Sequence, residues 1–204
     1  LEAKFTRVSG VFLMKKILVA GNPEYGLAKA IKQKFPNADF VSRSYGGFDL
    51  SIPSKQREVA EKAMDYDVFI AVSCVWRFAQ TEYVQEVAKR WLERKTGYII
   101  ALGSSADTPV KGTAWIYPVE KKALRAYCRQ LSQVSAGEND CELKVTYLSP
   151  GNLHTPKQDE KMPDIPKLDT KYVVDVISWL IQQPDTINIS ELCLDRRVVC
   201  QNTI

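Results

Sequence analysis

Ile17-Leu18-Val19-Ala20-Gly21-Asn22-Pro23-Glu24-Tyr25-Gly26-Leu27-Ala28-Lys29-Ala30-Ile31-Lys32-Gln33-Lys34-Phe35 is the stretch that decides the fold. Four apolar residues in a row predict a short buried strand, and Gly-Asn-Pro ends it in a turn. From Leu27 the apolar residues recur at helical spacing until Pro36, which stops the helix. A strand with no polar face, followed at once by an amphipathic helix, is the first half of a crossover to a parallel neighbour.

Downstream the alternation repeats. Ala38–Val41, Val68–Val72, Tyr98–Leu102 and Leu143–Leu148 read as strands. Between and after them lie predicted helices at Ser54–Met64, Thr81–Arg94, Tyr117–Ser132 and Lys171–Ile181, and Ile187–Leu194 closes with strand-like alternation. The pattern predicts an α/β fold, a Rossmann-like doubly wound parallel sheet in three α/β/α layers. In such sheets ligands sit beyond the C-terminal strand ends, near the switch in strand order. Pro156–Pro166, rich in proline, lysine and aspartate, reads as one long irregular segment, a lid or a solvated loop.

The 204 residues suit a single domain, with 45% apolar and 25% charged side chains. No repeat or linker divides them, so residues 14–196 are expected to form the fold, with 1–13 an extension and 197–204 a tail. A net charge of +4, from 28 basic and 24 acidic residues that intermingle, disfavours a nucleic-acid binder. No apolar run approaches the roughly 20 residues of a membrane span. Five scattered cysteines and the single His154 form no metal-ligand spacing, and reduced thiols in a cytoplasmic protein are expected.

Candidate chemistry lies in the loops after the strands. Small residues between the first strand and helix let a phosphate approach the helix N-terminus, which makes Gly21, Asn22, Tyr25, Gly26 and Leu27 candidate binding residues; Gly26 equally suits a simple turn. After the second strand stand Ser42 and Arg43, and a guanidinium there favours a ribose 2′-phosphate over free hydroxyls, unless it is merely solvated. Asp49 suits an adenine edge or the cap of the following turn. The fourth strand ends in Gly103-Ser104-Ser105, placing hydroxyls where such folds put reactive groups. Tyr117 and Lys121 follow at i, i+4, on one face of a helix. An ammonium beside a phenol favours the phenolate, and is expected to lower its pKa towards a range useful for proton transfer. After the fifth strand, Pro150-Gly151 is expected to swing the chain across the strand ends and bring Thr155 to a cofactor amide, or to form an ordinary turn.

Ser104…Tyr117-Pro-Val-Glu-Lys121 and Pro150-Gly151-Asn-Leu-His-Thr155 together resemble the short-chain dehydrogenase/reductase family, over about Lys16 to Leu194. The resemblance implies hydride exchange between a nicotinamide dinucleotide and a small carbonyl or alcohol. By it Tyr117 is the general acid/base, Ser104 orients the substrate oxygen, and Lys121 lowers the tyrosine pKa and holds the nicotinamide ribose. Thr155 and the backbone near Leu153 would bind the carboxamide, Ser73 would touch the cofactor, and Arg43 would mark NADP(H) preference over NAD(H). Helices 81–94 and 117–132 would pair copies of the chain into a homodimer or homotetramer. The family's glycine loop falls here on Gly21, Asn22, Gly26 and Ala28, and its Asn-Asn-Ala-Gly on Ala71-Val72-Ser73-Cys74. Its relay asparagine has no counterpart, unless Gln80 or Thr81 substitutes. These departures equally fit a non-catalytic nucleotide-binding or interaction module; a flavodoxin-like or sugar-nucleotide domain is the third reading.

Overall fold

The computed structural model describes residues 15–108, 112–135 and 141–196; the extension and tail expected at the two ends lie outside the described residues. Six strands form one sheet: β1 (Ile17–Ala20), β2 (Asp39–Val41), β3 (Val68–Ala71), β4 (Thr96–Leu102), β5 (Glu142–Pro150) and β6 (Glu191–Leu194). All five pairings are parallel and the order is β2-β1-β3-β4-β5-β6. The helices are α1 (Gly26–Lys34), α2 (Pro53–Lys62), α3 (Ala79–Arg94), α4 (Tyr117–Ser135), α5 (Pro156–Lys161) and α6 (Thr170–Gln182). No helix among the described residues is long and apolar enough to cross a membrane.

The two-residue period of the strands divides the core into two layers. Leu18, Ala20, Phe69, Ala71, Ile99, Ala101, Val145 and Tyr147 face Val84, Val87, Trp91, Leu124 and Cys128 of α3 and α4. Ile17, Val19, Val68, Ile70, Ile100 and Leu148 face Leu27 and Ile31 of α1 and Val173, Ile177 and Leu180 of α6. The sheet is thus covered on both sides, which is why its strands read as unbroken apolar runs. Each large side chain sealed in these layers contributes about 1.5–3 kcal/mol against exposure.

Several boundaries differ from the sequence reading for local reasons. α3 begins at Ala79 rather than Thr81, directly after Arg77 and Phe78, both in left-handed backbone at φ 60° and 62°. β4 starts at Thr96, where Gly97 at φ +133° lies so close to the Trp91 ring that a Cβ would sit 2.5 Å from it. β5 runs on to Pro150, and Gly151 N–H extends the ladder to Leu194 O at 2.7 Å, so Pro150-Gly151 stays in the sheet instead of swinging across the strand ends. Pro156–Pro166 is not wholly irregular: Thr155 accepts from Gln158 N–H and Pro156 opens a short helix. The final strand is only Glu191–Leu194.

The apolar residues of α3 and α4 expected to pair copies of the chain are spent on the core. Outward the two helices show Gln85, Lys89 and Glu93, and Lys122, Ala126 and Arg129, with Val119 the large exposed apolar residue of that set.

Candidate active site

The strand order reverses between β1 and β3: β1 is followed by β2 on one side and by β3 on the other. A crevice opens at such a point, because the connections from the two strands leave in opposite directions. Here it is a cleft of ≈ 570 Å³, within the range of small-molecule sites. Gly21, Asn22, Tyr25, Gly26, Leu27, Ser42, Arg43, Asp49, Ser73 and Thr155 line it, all of them singled out from sequence. Ser104, Tyr117, Lys121, Pro150, Gly151 and Leu153 do not. Leu153 is half-buried against the core and bridges to Leu168, while Gly151 is wedged so close to Asp195 that a Cβ would meet its carboxylate at 1.9 Å. Sequence reasoning missed Phe48, Cys74 and Lys157 on the walls. Lys157 had no signal of its own, being one lysine in a charged segment; the Thr-Pro helix start beside it was the available clue.

Glycine substitution in the first loop has a structural solution. Gly21 lies so close to α1 that a Cβ there would stand 2.8 Å from the Ala28 methyl, so Gly21 supplies the room that Ala28 fills. Asn22 folds back, its Oδ1 accepting the Glu24 N–H at 3.0 Å, and its side chain is held within its own turn. Gly26 adopts φ +51° at the start of α1, with Thr155 Cγ2 3.6 Å from the position of a Cβ. No side chain caps α1, so the first-turn N–H groups face the cleft without a protein acceptor. This arrangement fits an anionic group at the helix start.

Two expected binding side chains are engaged locally. Ser42 Oγ accepts the Tyr45 N–H at 3.1 Å, closing a tight turn that projects Arg43 outward. Asp49 accepts from both the N–H and the hydroxyl of Ser51, which lowers its pKa, so it caps the turn. Arg43 has an 84% exposed side chain, its guanidinium 4.0 Å from Asp49.

The Ser, Tyr and Lys positions meet at the C-terminal end of β4. Ser104 leaves the strand and begins a 3-10 turn, Ser105–Asp107, its Oγ accepting the Ala106 N–H at 3.2 Å. Its hydroxyl is also close enough to Tyr117 to favour the phenolate. Burial outweighs this: the Tyr117 phenol is pushed up to about 12, with Cys74, Asp107 and Glu120 reinforcing the rise. The expected lowering by Lys121 is therefore not what the structure gives. The Lys121 ammonium lies 5.5 Å from the Tyr117 ring centroid, over the face of the ring. It donates to Gln80 Oε1 at 2.6 Å and to the Leu102 carbonyl at 2.9 Å. Burial lowers its own pKa. Gln80 Nε2 is anchored in turn on the carbonyls of Ala71 and Leu102, both at 3.0 Å, so the amide bridges the ends of β3 and β4.

Cys74 links the two regions. It lines the cleft, and burial pushes its thiol up while the nearby Lys121 ammonium opposes the rise. Trp115, itself exposed, stacks on Tyr117 with ring centroids 4.8 Å apart.

No family model matches the chain. It is 25% identical over 167 residues to an uncharacterized oxidoreductase of Staphylococcus saprophyticus, spanning 81% of this chain and 67% of that protein. Among solved structures, a short chain dehydrogenase/reductase family protein superposes with a TM-score of 0.70 at 16% identity, covering 88% of this chain and 95% of the other. The closed form of serine dehydrogenase complexed with NADP+ gives 0.69 at 14%, with 92% and 98% covered. A 4-hydroxyisoleucine dehydrogenase complexed with NADH gives 0.69 at 17%, with 88% and 97% covered. At these identities the likeness is one of fold: the chain has the Rossmann-like fold of short-chain dehydrogenases/reductases.

Proposed function

We propose that the chain is an oxidoreductase of the short-chain dehydrogenase/reductase type, interconverting a small carbonyl and its alcohol with NADP(H). The observation that carries this is the convergence of Ser104, Tyr117 and Lys121 at the end of β4, beside a switch-point cleft with an uncapped helix start. The dinucleotide, when bound, supplies or accepts the hydride. The chain's own residues do the rest. Gly21, Gly26 and the first turn of α1 would receive the pyrophosphate, and Arg43 and Lys157 offer cationic groups for a further phosphate. Ser104 would donate to the substrate oxygen, and Tyr117 would transfer the proton at its Oη. A phenol raised by burial is protonated at neutral pH, which suits it to act as the acid in carbonyl reduction. Lys121 would keep positive charge beneath the tyrosine ring. We also infer a homo-oligomer, whose faces on α3 and α4 would be polar and small rather than apolar; light scattering at micromolar concentration reads this directly.

The test is NADPH oxidation over a panel of aldehydes and ketones, with Tyr117→Phe as control. Turnover in the unaltered protein, reduced at least about 10²-fold in the variant, is expected. Equal rates in the two would sink the reading. One observation favours a second reading, nucleotide binding without turnover: the Lys121 ammonium is already shared between Gln80 and the Leu102 carbonyl. Calorimetric binding of NADPH by a protein that reduces nothing in the panel would favour it.

A further inference from the structure

Beneath the candidate site a single phenol touches two of its three members. Tyr147, on β5, is wholly buried. Its hydroxyl receives the Ser104 N–H at 3.4 Å and lies 3.3 Å from the Lys121 carbonyl. Its strongest bond runs to Asp107 Oδ2, at 2.7 Å. Asp107 belongs to the 3-10 turn that Ser104 caps, and its other oxygen is held by Arg125 at 3.2 Å from α4. Arg125 is in turn paired with Glu191 of β6. The ring occupies space that only a glycine at 103 leaves open, since a Cβ there would stand 2.0 Å from Tyr147 Cζ.

The packing alone does not account for this arrangement. A buried phenol must donate its proton somewhere, and one acceptor would satisfy it. Here the hydroxyl joins three segments at one atom: the end of β4, the turn after it, and the first turns of α4. Ser104 and Tyr117 come from the first and last of these. One atom thus links the Ser104 backbone to the helix that carries Tyr117, without touching the side chain of either.

We infer that Tyr147 is a positioning residue, whose hydroxyl, seated on Asp107, fixes the Ser104 backbone against α4 and so sets the Ser104 hydroxyl towards Tyr117. The catalytic part of this rests on the function proposed above; the placement of Ser104 does not. Two measurements separate them. In Tyr147→Phe, which keeps the ring, the Ser104 amide loses its acceptor. Its hydrogen exchange should quicken by about tenfold or more while the amides of Tyr98–Ala101 keep their protection. Unchanged protection at Ser104 overturns the inference, whether or not the protein is an enzyme.

The same variant should lose about 10²-fold in kcat, as small misplacements of reacting groups do, with KM for NADPH within about twofold. Equal loss in both parameters, or in neither, counts against positioning. Should Tyr147→Phe fail to fold, Asp107 carries the same test. Asp107→Asn keeps an oxygen for the phenol proton and should retain most of kcat and of Ser104 protection, whereas Asp107→Ala should lose both. If Asn and Ala behave alike, the charge pair with Arg125 is what matters, and the inference falls.

Discussion

An alanine at position 21 would bring its methyl 2.8 Å from that of Ala28 and 3.3 Å from Cβ of Val72. Gly21→Ala is expected to cost about 1–3 kcal/mol by overpacking. The double change Gly21→Ala/Ala28→Gly should recover most of that, since one methyl group is moved across the same gap; urea denaturation measures both. At Tyr117 the prediction concerns pH. With its phenol pushed up to about 12, the phenolate fraction grows about tenfold per unit at any pH well below that value. Alcohol oxidation, which needs the phenolate, should climb about tenfold per unit between roughly pH 7 and 10. Carbonyl reduction, which needs the neutral phenol, should stay flat. A plateau in oxidation near pH 8 would show the phenol held low instead. The meeting of Ser104, Tyr117 and Lys121 was legible because their spacing matches a strand end and one helical turn. Their electrostatics were not, because the ring's burial and the occupation of Lys121 by Gln80 are consequences of packing that spacing does not encode.

α3 reaches the site from its first turns, where Tyr83 also donates to the Ser73 carbonyl at 2.8 Å. Gln80, next to its start, ties Lys121 to the ends of β3 and β4. Gln80→Leu would leave a buried ammonium with the Leu102 carbonyl as its remaining partner and remove the amide's bonds to the Ala71 and Leu102 carbonyls. A loss of about 1–3 kcal/mol in unfolding free energy is expected, which thermal and urea melts would register. No loss would mean that solvent reaches Lys121. At this scale the strands were the most readable elements, since four-residue apolar runs have no other place in a two-sided sheet. Element ends were less so. The extension of β5 to Pro150 depends on β6 lying beside it, a fact of topology, and α5 has no apolar periodicity at all. The start of α3 follows a left-handed pair, Arg77 and Phe78, that neither residue type announces.

For the whole molecule, ligand binding and stability are linked: a ligand at 100 times its Kd stabilises the native state by about 2.7 kcal/mol. NADPH should therefore raise the melting temperature, and more than NADH does at equal concentration, with the difference reduced in Arg43→Glu. Identical shifts for the two dinucleotides would exclude a role for Arg43 in choosing between them. The doubly wound layout was legible because strand and helix alternate without interruption. The strand order was not, as nothing in a buried apolar run says which neighbour it will take. That order has a kinetic side. The sheet contains no hairpin; Ala20 meets Ala71 before it can be enclosed, Ala101 meets Tyr147, and Tyr147 meets Glu191. Every pairing closes a long loop, and that of β1 with β3 spans the whole of α1, β2 and α2. Chains built from such distant contacts fold slowly for their size. The nascent chain must carry β1 with one edge unpaired until β3 has emerged, and β3 then keeps an open edge until β4 follows it.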